Sequence, residues 1–332
     1  MTAVPTSTVS RHDLRTALGR SLGRGIRGLR RQPFAYTSSF VLEELDLQLD
    51  DGTELALLLK DLSPTAVLES SRAVKPAFLY DPWREIETYR TILAHLGLGT
   101  AVCFATFADD HAERYWLVLE KVPGVELYQV GDVRLWQDAA RWLADLHTRG
   151  AAITDAVAEA AHLLRYNAPY YRGWMQRAVV QAFEPSTRDA LEWLAERHEQ
   201  VVERLVALPR TFLHGECYAS NVLVVVGDGS PRICPVDWEM AALGPGLMDL
   251  AALSSGRWTP RERHSLVDAY RQAFEELGGQ RQPPDELDTA LECCRLQVAV
   301  QWLGWSMEWQ PPADHIQNWL SEALGAAHRL GL

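Results

Sequence analysis

The chain has 332 residues, 47% hydrophobic and 23% charged, which excludes collagen-like, low-complexity and wholly disordered classes. Its charge-free stretches, such as Cys217 to Gly227, fall well short of the roughly 18 to 20 apolar residues that a membrane span requires. The net charge is −12, yet the first 31 residues hold seven arginines against Asp13, so the remainder carries −18. A body that acidic repels nucleic acid and anionic membrane surfaces and gathers cationic small molecules.

The N-terminus lacks the apolar stretch and cleavage site of a secretory signal, so a cytoplasmic location is expected. Within residues 1–33, Leu14, Leu18, Leu22, Ile26 and Leu29 recur at helical spacing, but Gly19, Gly23, Gly25 and Gly28 weaken a helix. A basic extension, frayed or docked, is the expectation for this segment. The five cysteines are scattered at apolar positions with no CxxC pair, which reads as small buried hydrophobes.

From residue 34 to 120 the signals are mostly strand-like. Phe40 to Leu49 alternates partly, Asp50-Asp51-Gly52 is a turn, and Glu54 to Lys60 is a second strand. Asp81 and Pro82 open a helix carrying Ile86, Tyr89, Leu93 and Leu96, with Gly97 as its stop. Strand-like runs Ala101 to Phe107 and Tyr115 to Leu119 follow. Residues 121–332 turn helical: Asp132 caps a helix through Trp136, Ala140, Leu143 and Leu146, and Leu191, Leu194, Val201 and Leu205 stripe another ending before Pro209. The expected fold is α+β, with a small β-rich lobe followed by a larger helical one.

One hairpin interrupts the helical half: Asn221 to Val226, a turn over Gly227 to Pro231, then Arg232 to Asp237. Pro235 demands an edge position. With the turn centred on Gly229, Val226 faces Arg232, Val222 faces Val236 and Asn221 faces Asp237, so an amide and a carboxylate converge at the open end. Glu216 lies five residues before Asn221. Oxygen donors of this kind suit Mg²⁺, which binds one or two protein groups together with phosphate oxygens and water. Phosphoryl transfer needs such a metal, a lysine on the phosphates and a carboxylate beside the attacking hydroxyl. Lysine occurs only at positions 60, 75 and 121, and Lys60 ends an apolar strand, where a cation needs an anionic partner such as Glu85.

These motifs resemble the aminoglycoside phosphotransferase and choline kinase family, which has the two-lobed protein-kinase-like fold. FLHGECYASN (Phe212 to Asn221) is similar to the family's HGDxxxxN catalytic loop, and CPVDWEMAALGPGLMDLA (Cys234 to Ala251) to its metal-binding segment. LVLEKVPG (Leu117 to Gly124) resembles the interlobe hinge and LADLH (Leu143 to His147) a large-lobe helix. The resemblance implies a small-molecule phosphotransferase using ATP or GTP with Mg²⁺, its nucleotide site between the lobes. Lys60 would contact the nucleotide phosphates, Glu85 would orient it, and Ser38 and Ser39 would form the loop over them. Backbone groups at Glu120 and Val122 would bond the base. Asn221 and Asp237 would hold Mg²⁺, Glu239 would lie near a second metal or the acceptor, and Asp249 would brace the loop. His214 would be structural.

The chain departs from the family in placing Glu216 where HGD has aspartate. The extra methylene changes geometry rather than basicity, and a misplacement near 1 Å at a reacting centre costs on the order of 10²-fold in rate. Glu216 is therefore the expected catalytic carboxylate, the alternative being a degenerate kinase that only binds a nucleotide or ligand. For the acceptor, Trp302, Trp305 and Trp309 at helical spacing suit either bundle core or, with Glu308 and Asp314, the floor of a pocket for a cationic or polyhydroxylated compound.

Overall fold

The computed structural model describes residues 7–34, 39–227, 229–305 and 317–332. Ser38, Glu308, Trp309 and Asp314 lie outside the described residues. The chain divides into two compact units, Met1–Gly124 and Val125–Leu332.

The first unit is built on a five-stranded antiparallel sheet of order β1-β2-β3-β5-β4. Its strands are β1 (Ile26–Pro33), β2 (Val41–Leu49), β3 (Glu54–Asp61), β4 (Cys103–Asp109) and β5 (Arg114–Glu120). Residues 7–33 are no appendage: α1 (Arg11–Leu22) and β1 belong to this unit's core. The sequence reading weighed the glycines too heavily. Only Gly19 falls inside α1, costing about 1 kcal/mol, whereas fully buried Leu14 and Leu18 each contribute about 2 kcal/mol against Leu45, Leu57, Leu59 and Trp116. Ser10 caps α1 by accepting from the Asp13 N–H, and Gly23 closes it at φ +61°.

Strand alternation places Leu57 and Leu59 of β3 in that cluster and Lys60 on the opposite face. After the short α2 (Glu69–Val74), the helix opened by Asp81 runs as α3 (Pro82–Glu87), a π-helical stretch Thr88–Leu93 and α4 (Ala94–Leu96), ending at Gly97 with φ +62°. The sequence period marked this helix but not its π stretch.

In the second unit, β6 (Val125–Glu126) precedes α5 (Val133–Ile153), which Asp132 caps through the Arg134 N–H. Then come β7 (Leu164–Arg165), α6 (Ala168–Gln181), α7 (Pro185–Ala195), α8 (His198–Ala207) and β8 (Arg210–Leu213). The stripe read as one helix is two, because the seven residues from Leu194 to Val201 return to the same helical face with or without a break. β9 (Val222–Val225) and β10 (Arg232–Pro235) form the hairpin, and β11 (Ala242–Pro245) joins β7 and β8. The remaining helices are α9 (Leu247–Leu253), α10 (Pro260–Glu276), α11 (Pro284–Leu303) and α12 (Trp319–Arg329).

Candidate active site

The hairpin's register is shifted by one residue from its sequence symmetry, with six residues rather than five between the first paired positions. Arg232 faces Val225 and Pro235 faces Val222, and the Val236 N–H donates to the Asn221 carbonyl (2.8 Å), so Asn221 does not face Asp237. Pro235 does occupy an edge strand, the sheet order being β10-β9-β6. Asp237 lies beyond the ladder at φ +66°, ψ +66°, a left-handed conformation that aspartate tolerates better than most residues. The chain therefore turns sharply between β10 and the 3₁₀ turn Trp238–Met240, which buries Glu239.

The segment from His214 to Asn221 is fixed by its own side chains and by α9. Buried Asp249 accepts the His214 N–H (2.7 Å) on one oxygen and the Gly215 N–H (2.8 Å) on the other. The His147 ring lies 3.2 Å from Asp249 through Nε2 and 3.0 Å from the Tyr270 hydroxyl through Nδ1. The Glu216 N–H donates to His214 Nδ1 (3.2 Å), which makes Nδ1 the acceptor and leaves Nε2–H to donate to the Val236 carbonyl (3.0 Å). His214 thus ties the loop to the end of β10 as a neutral imidazole. Asn221 Nδ2 donates to the Glu216 carbonyl (3.0 Å), which fixes the orientation of the amide and so the position of its Oδ1. Gly215 has φ +90°, and a Cβ there would meet the Met240 carbonyl oxygen at 2.1 Å, so no other residue fits.

Glu216 lines a narrow cleft of about 10 Å³, one water's worth, with Trp174, Tyr218, Gln301, Trp302 and Trp305 among its walls. Trp305 stacks on Trp174 at 6.0 Å between centroids, and Trp302 stacks on Trp319 at 5.4 Å. The tryptophan run is therefore both helix packing and cleft wall. Burial first, and then the Glu216 carboxylate, pushes the Tyr218 phenol far above its ordinary range; burial and neighbouring groups do the same to Tyr166. Both stay protonated, and the Tyr166 hydroxyl donates to the Gly215 carbonyl (3.3 Å). Sequence reasoning missed Tyr166, Trp174 and Gln301, which lie outside every motif, and gave His147 no role; Tyr218 alone stood within the loop.

In the first unit the Lys60 ammonium lies 2.6 Å from Glu85, with side-chain exposures of 5% and 2%. Such a pair is unusual for lysine, whose strongly hydrated head is costly to bury. The Ser39 carbonyl accepts from the Leu68 N–H (3.0 Å). The Glu120 N–H donates to the Val102 carbonyl (2.8 Å) and the Val122 carbonyl accepts from the Gly124 N–H (2.9 Å). Burial pushes the Cys103 thiol up to about 11 and holds Cys217 and Cys294 well above the ordinary thiol range, so these cysteines are packing residues.

An amide oxygen and an aspartate carboxylate are donor types that a hard cation accepts, and there is no cluster of three or more histidine, cysteine or acidic side chains among the described residues.

A β-rich unit with a buried lysine–carboxylate pair, and a helical unit with a braced acidic loop ahead of an Asn/Asp hairpin, define a protein-kinase-like phosphotransferase. A family model described as the phosphotransferase enzyme family matches residues 81–287. The chain belongs to this family, that of the aminoglycoside phosphotransferases, and is a small-molecule phosphotransferase. Solved structures agree in fold. Spectinomycin phosphotransferase in complex with ADP and spectinomycin aligns with a TM-score of 0.57 at 14% identity over 98% of this chain and 94% of its own. An ethanolamine kinase of Plasmodium vivax aligns at 0.56 and 14% over 92% and 82%, and the GDP complex of an aminoglycoside 2′-phosphotransferase variant at 0.57 and 12% over 97% of each chain. No curated protein matches the chain by sequence.

Proposed function

We propose that the protein transfers the γ-phosphate of ATP or GTP, with Mg²⁺, to a hydroxyl of a cationic or polyhydroxylated small molecule such as an aminoglycoside-like natural product. The observation that carries this reading is Glu216 in the cleft wall, on a loop pinned through two backbone N–H groups by Asp249. Glu216 accepts the acceptor hydroxyl's proton as its oxygen bonds to the γ-phosphorus and the bond to the departing nucleoside diphosphate breaks. Lys60, oriented by Glu85, contacts the nucleotide phosphates. Asn221 Oδ1 and Asp237 hold the Mg²⁺, which neutralises phosphate charge when bound. Tyr218 and the tryptophans bind the acceptor by stacking and by cation–π contact, and the net acidity of the chain attracts it.

The test is a nucleotide-consumption screen over aminoglycosides, macrolides and amino-alcohols, with ATP and GTP in parallel. A cationic or polyhydroxylated hit whose rate falls with added salt is expected, since exposed attraction is screened over about 8 to 10 Å near physiological ionic strength. Hits that are all neutral and hydrophobic would overturn the acceptor class. Asp237→Asn should fold normally and lose most of the Mg²⁺ dependence of nucleotide binding; equal MgATP affinity by calorimetry would remove Asp237 from the metal site.

A further inference from the structure

We propose that the first unit carries a second ligand site, a groove for an organic anion with an apolar body, through which such a ligand acts on nucleotide binding. The groove measures about 830 Å³, within the range of small-molecule pockets. Its walls are the C-terminal half of α1, the π-helical stretch with α4, and the edge strand β4 with the loop before it.

Three observations carry the inference. The first is charge. In a chain of net charge −12, no acidic side chain among the described residues lines this groove, and the charged lining residues among them are Arg20 and Arg90 alone. Arg20 is exposed in the last turn of α1. Arg90 pairs with Glu87 of its own helix at 2.5 Å yet keeps 57% of its side chain in water, so an incoming carboxylate or phosphate can share it.

The second is incomplete cover. All seven residues of β4 are half-buried, whereas the next strand, β5, buries five of its seven. β4 is a sheet edge, which folded proteins ordinarily shield. Phe104 is half-buried and Val102 is 52% exposed, an apolar surface suited to a hydrocarbon or ring body, and Thr100 and Ser21 are among the lining residues.

The third is the backbone. The wall made by Tyr89, Arg90 and Leu93 is the π-helical stretch, a geometry that is rare and concentrates at functional sites. It begins three residues after Glu85, on the helix whose carboxylate holds Lys60. A ligand that resets the π stretch to α geometry changes the rotation of one helical segment against the other. That rotation alters how Glu85 meets Lys60.

The experiment is calorimetry of the full chain with decanoate and decyl phosphate as probes and decanol as the uncharged control. The expected result is saturable binding of one anion per chain, weak or no binding of decanol, and a loss of about tenfold or more in Arg20→Glu/Arg90→Glu, whose exposed positions leave the fold intact by circular dichroism. No binding by either anion, or equal binding by the double variant, overturns the site. Saturating anion should also change MgADP affinity, with MgADP changing anion affinity by the same factor. Unchanged MgADP affinity overturns the coupling. This second half rests on the phosphotransferase reading; a chain that binds the anion but no nucleotide would fault that reading rather than the groove.

Discussion

The two units hold their buried charges in different ways. In the first, the Lys60 ammonium meets the Glu85 carboxylate at 2.6 Å, side chain against side chain. In the second, the Asp249 carboxylate takes the backbone N–H groups of His214 and Gly215 at 2.7 and 2.8 Å. Both arrangements bury charge at a cost, but the partners differ in a way that mutation can expose. A side-chain pair can be deleted from both ends and its space refilled with apolar atoms. A backbone N–H cannot be deleted, so whatever replaces Asp249 leaves two donors to satisfy. On the proposed function the first device serves chemistry, and its removal from both ends should spare the fold; the second holds the loop itself.

The largest expected effect lies at the group the second device positions. Glu216→Gln keeps size and removes basicity, so kcat for a confirmed acceptor should fall by about 10² to 10⁴ with nucleotide affinity little changed. Turnover at the wild-type rate would end its catalytic assignment. Glu216→Asp is the informative companion: a lower rate shows a site fitted to the longer side chain, and a higher rate shows one still shaped for aspartate.

Next comes Asp249→Leu, which leaves the His214 and Gly215 N–H groups buried without acceptors, at about 1 to 3 kcal/mol each. Melting temperature and kcat should fall together, because the same bonds hold the fold and place Glu216. Unchanged melting with lost activity would show that the brace is catalytic only.

The Lys60–Glu85 pair should behave in the opposite sense. Glu85→Gln strands a buried ammonium and should cost about 3 to 5 kcal/mol by urea denaturation, whereas Lys60→Met with Glu85→Leu should restore most of that. The double variant should still lose MgATP affinity. If the double variant is as unstable as the single, the pair is structural and the contrast between the units fails.

What could be read from sequence follows the same division. Side-chain identity was legible: Lys60 needed an anion because it closed an apolar strand, and Glu85 is that anion. Backbone geometry was not. The hairpin's symmetry gave a register one residue out of step, because β-periodicity cannot anticipate that Asp237 leaves the ladder in a left-handed conformation. The glycines before Phe34 hid α1 and β1, since Leu14 and Leu18 repay the helix only through contacts with strands far along the chain. Tyr166 and Trp174 carried no signal at all, for their roles depend on the stretch from β7 into α6 packing near a loop some 40 to 50 residues later.

The smallest effect concerns acid. Burial presses the His198 imidazole below its ordinary pKa, as does Arg172, against opposing help from Gln297, 2.9 Å from Nε2, and from Glu199. The unfolded chain takes up a proton at this histidine near pH 6.5, before the folded chain does, so its contribution to stability is complete above that pH. That contribution is lost as pH falls toward the depressed folded value, with a slope of at most about 1.4 kcal/mol per pH unit. The first unit's histidines, His12, His95 and His111, are all exposed. The carboxylates with lowered pKa values, among them Asp13 and Glu44 there and Glu199 here, are pushed by their hydrogen-bond partners below the ordinary carboxylate range, away from the interval between pH 7 and 5. Amide hydrogen exchange read unit by unit should therefore show protection falling across that interval in the second unit more than in the first. His198→Gln should flatten the difference, and a slope that survives the substitution would place the proton elsewhere.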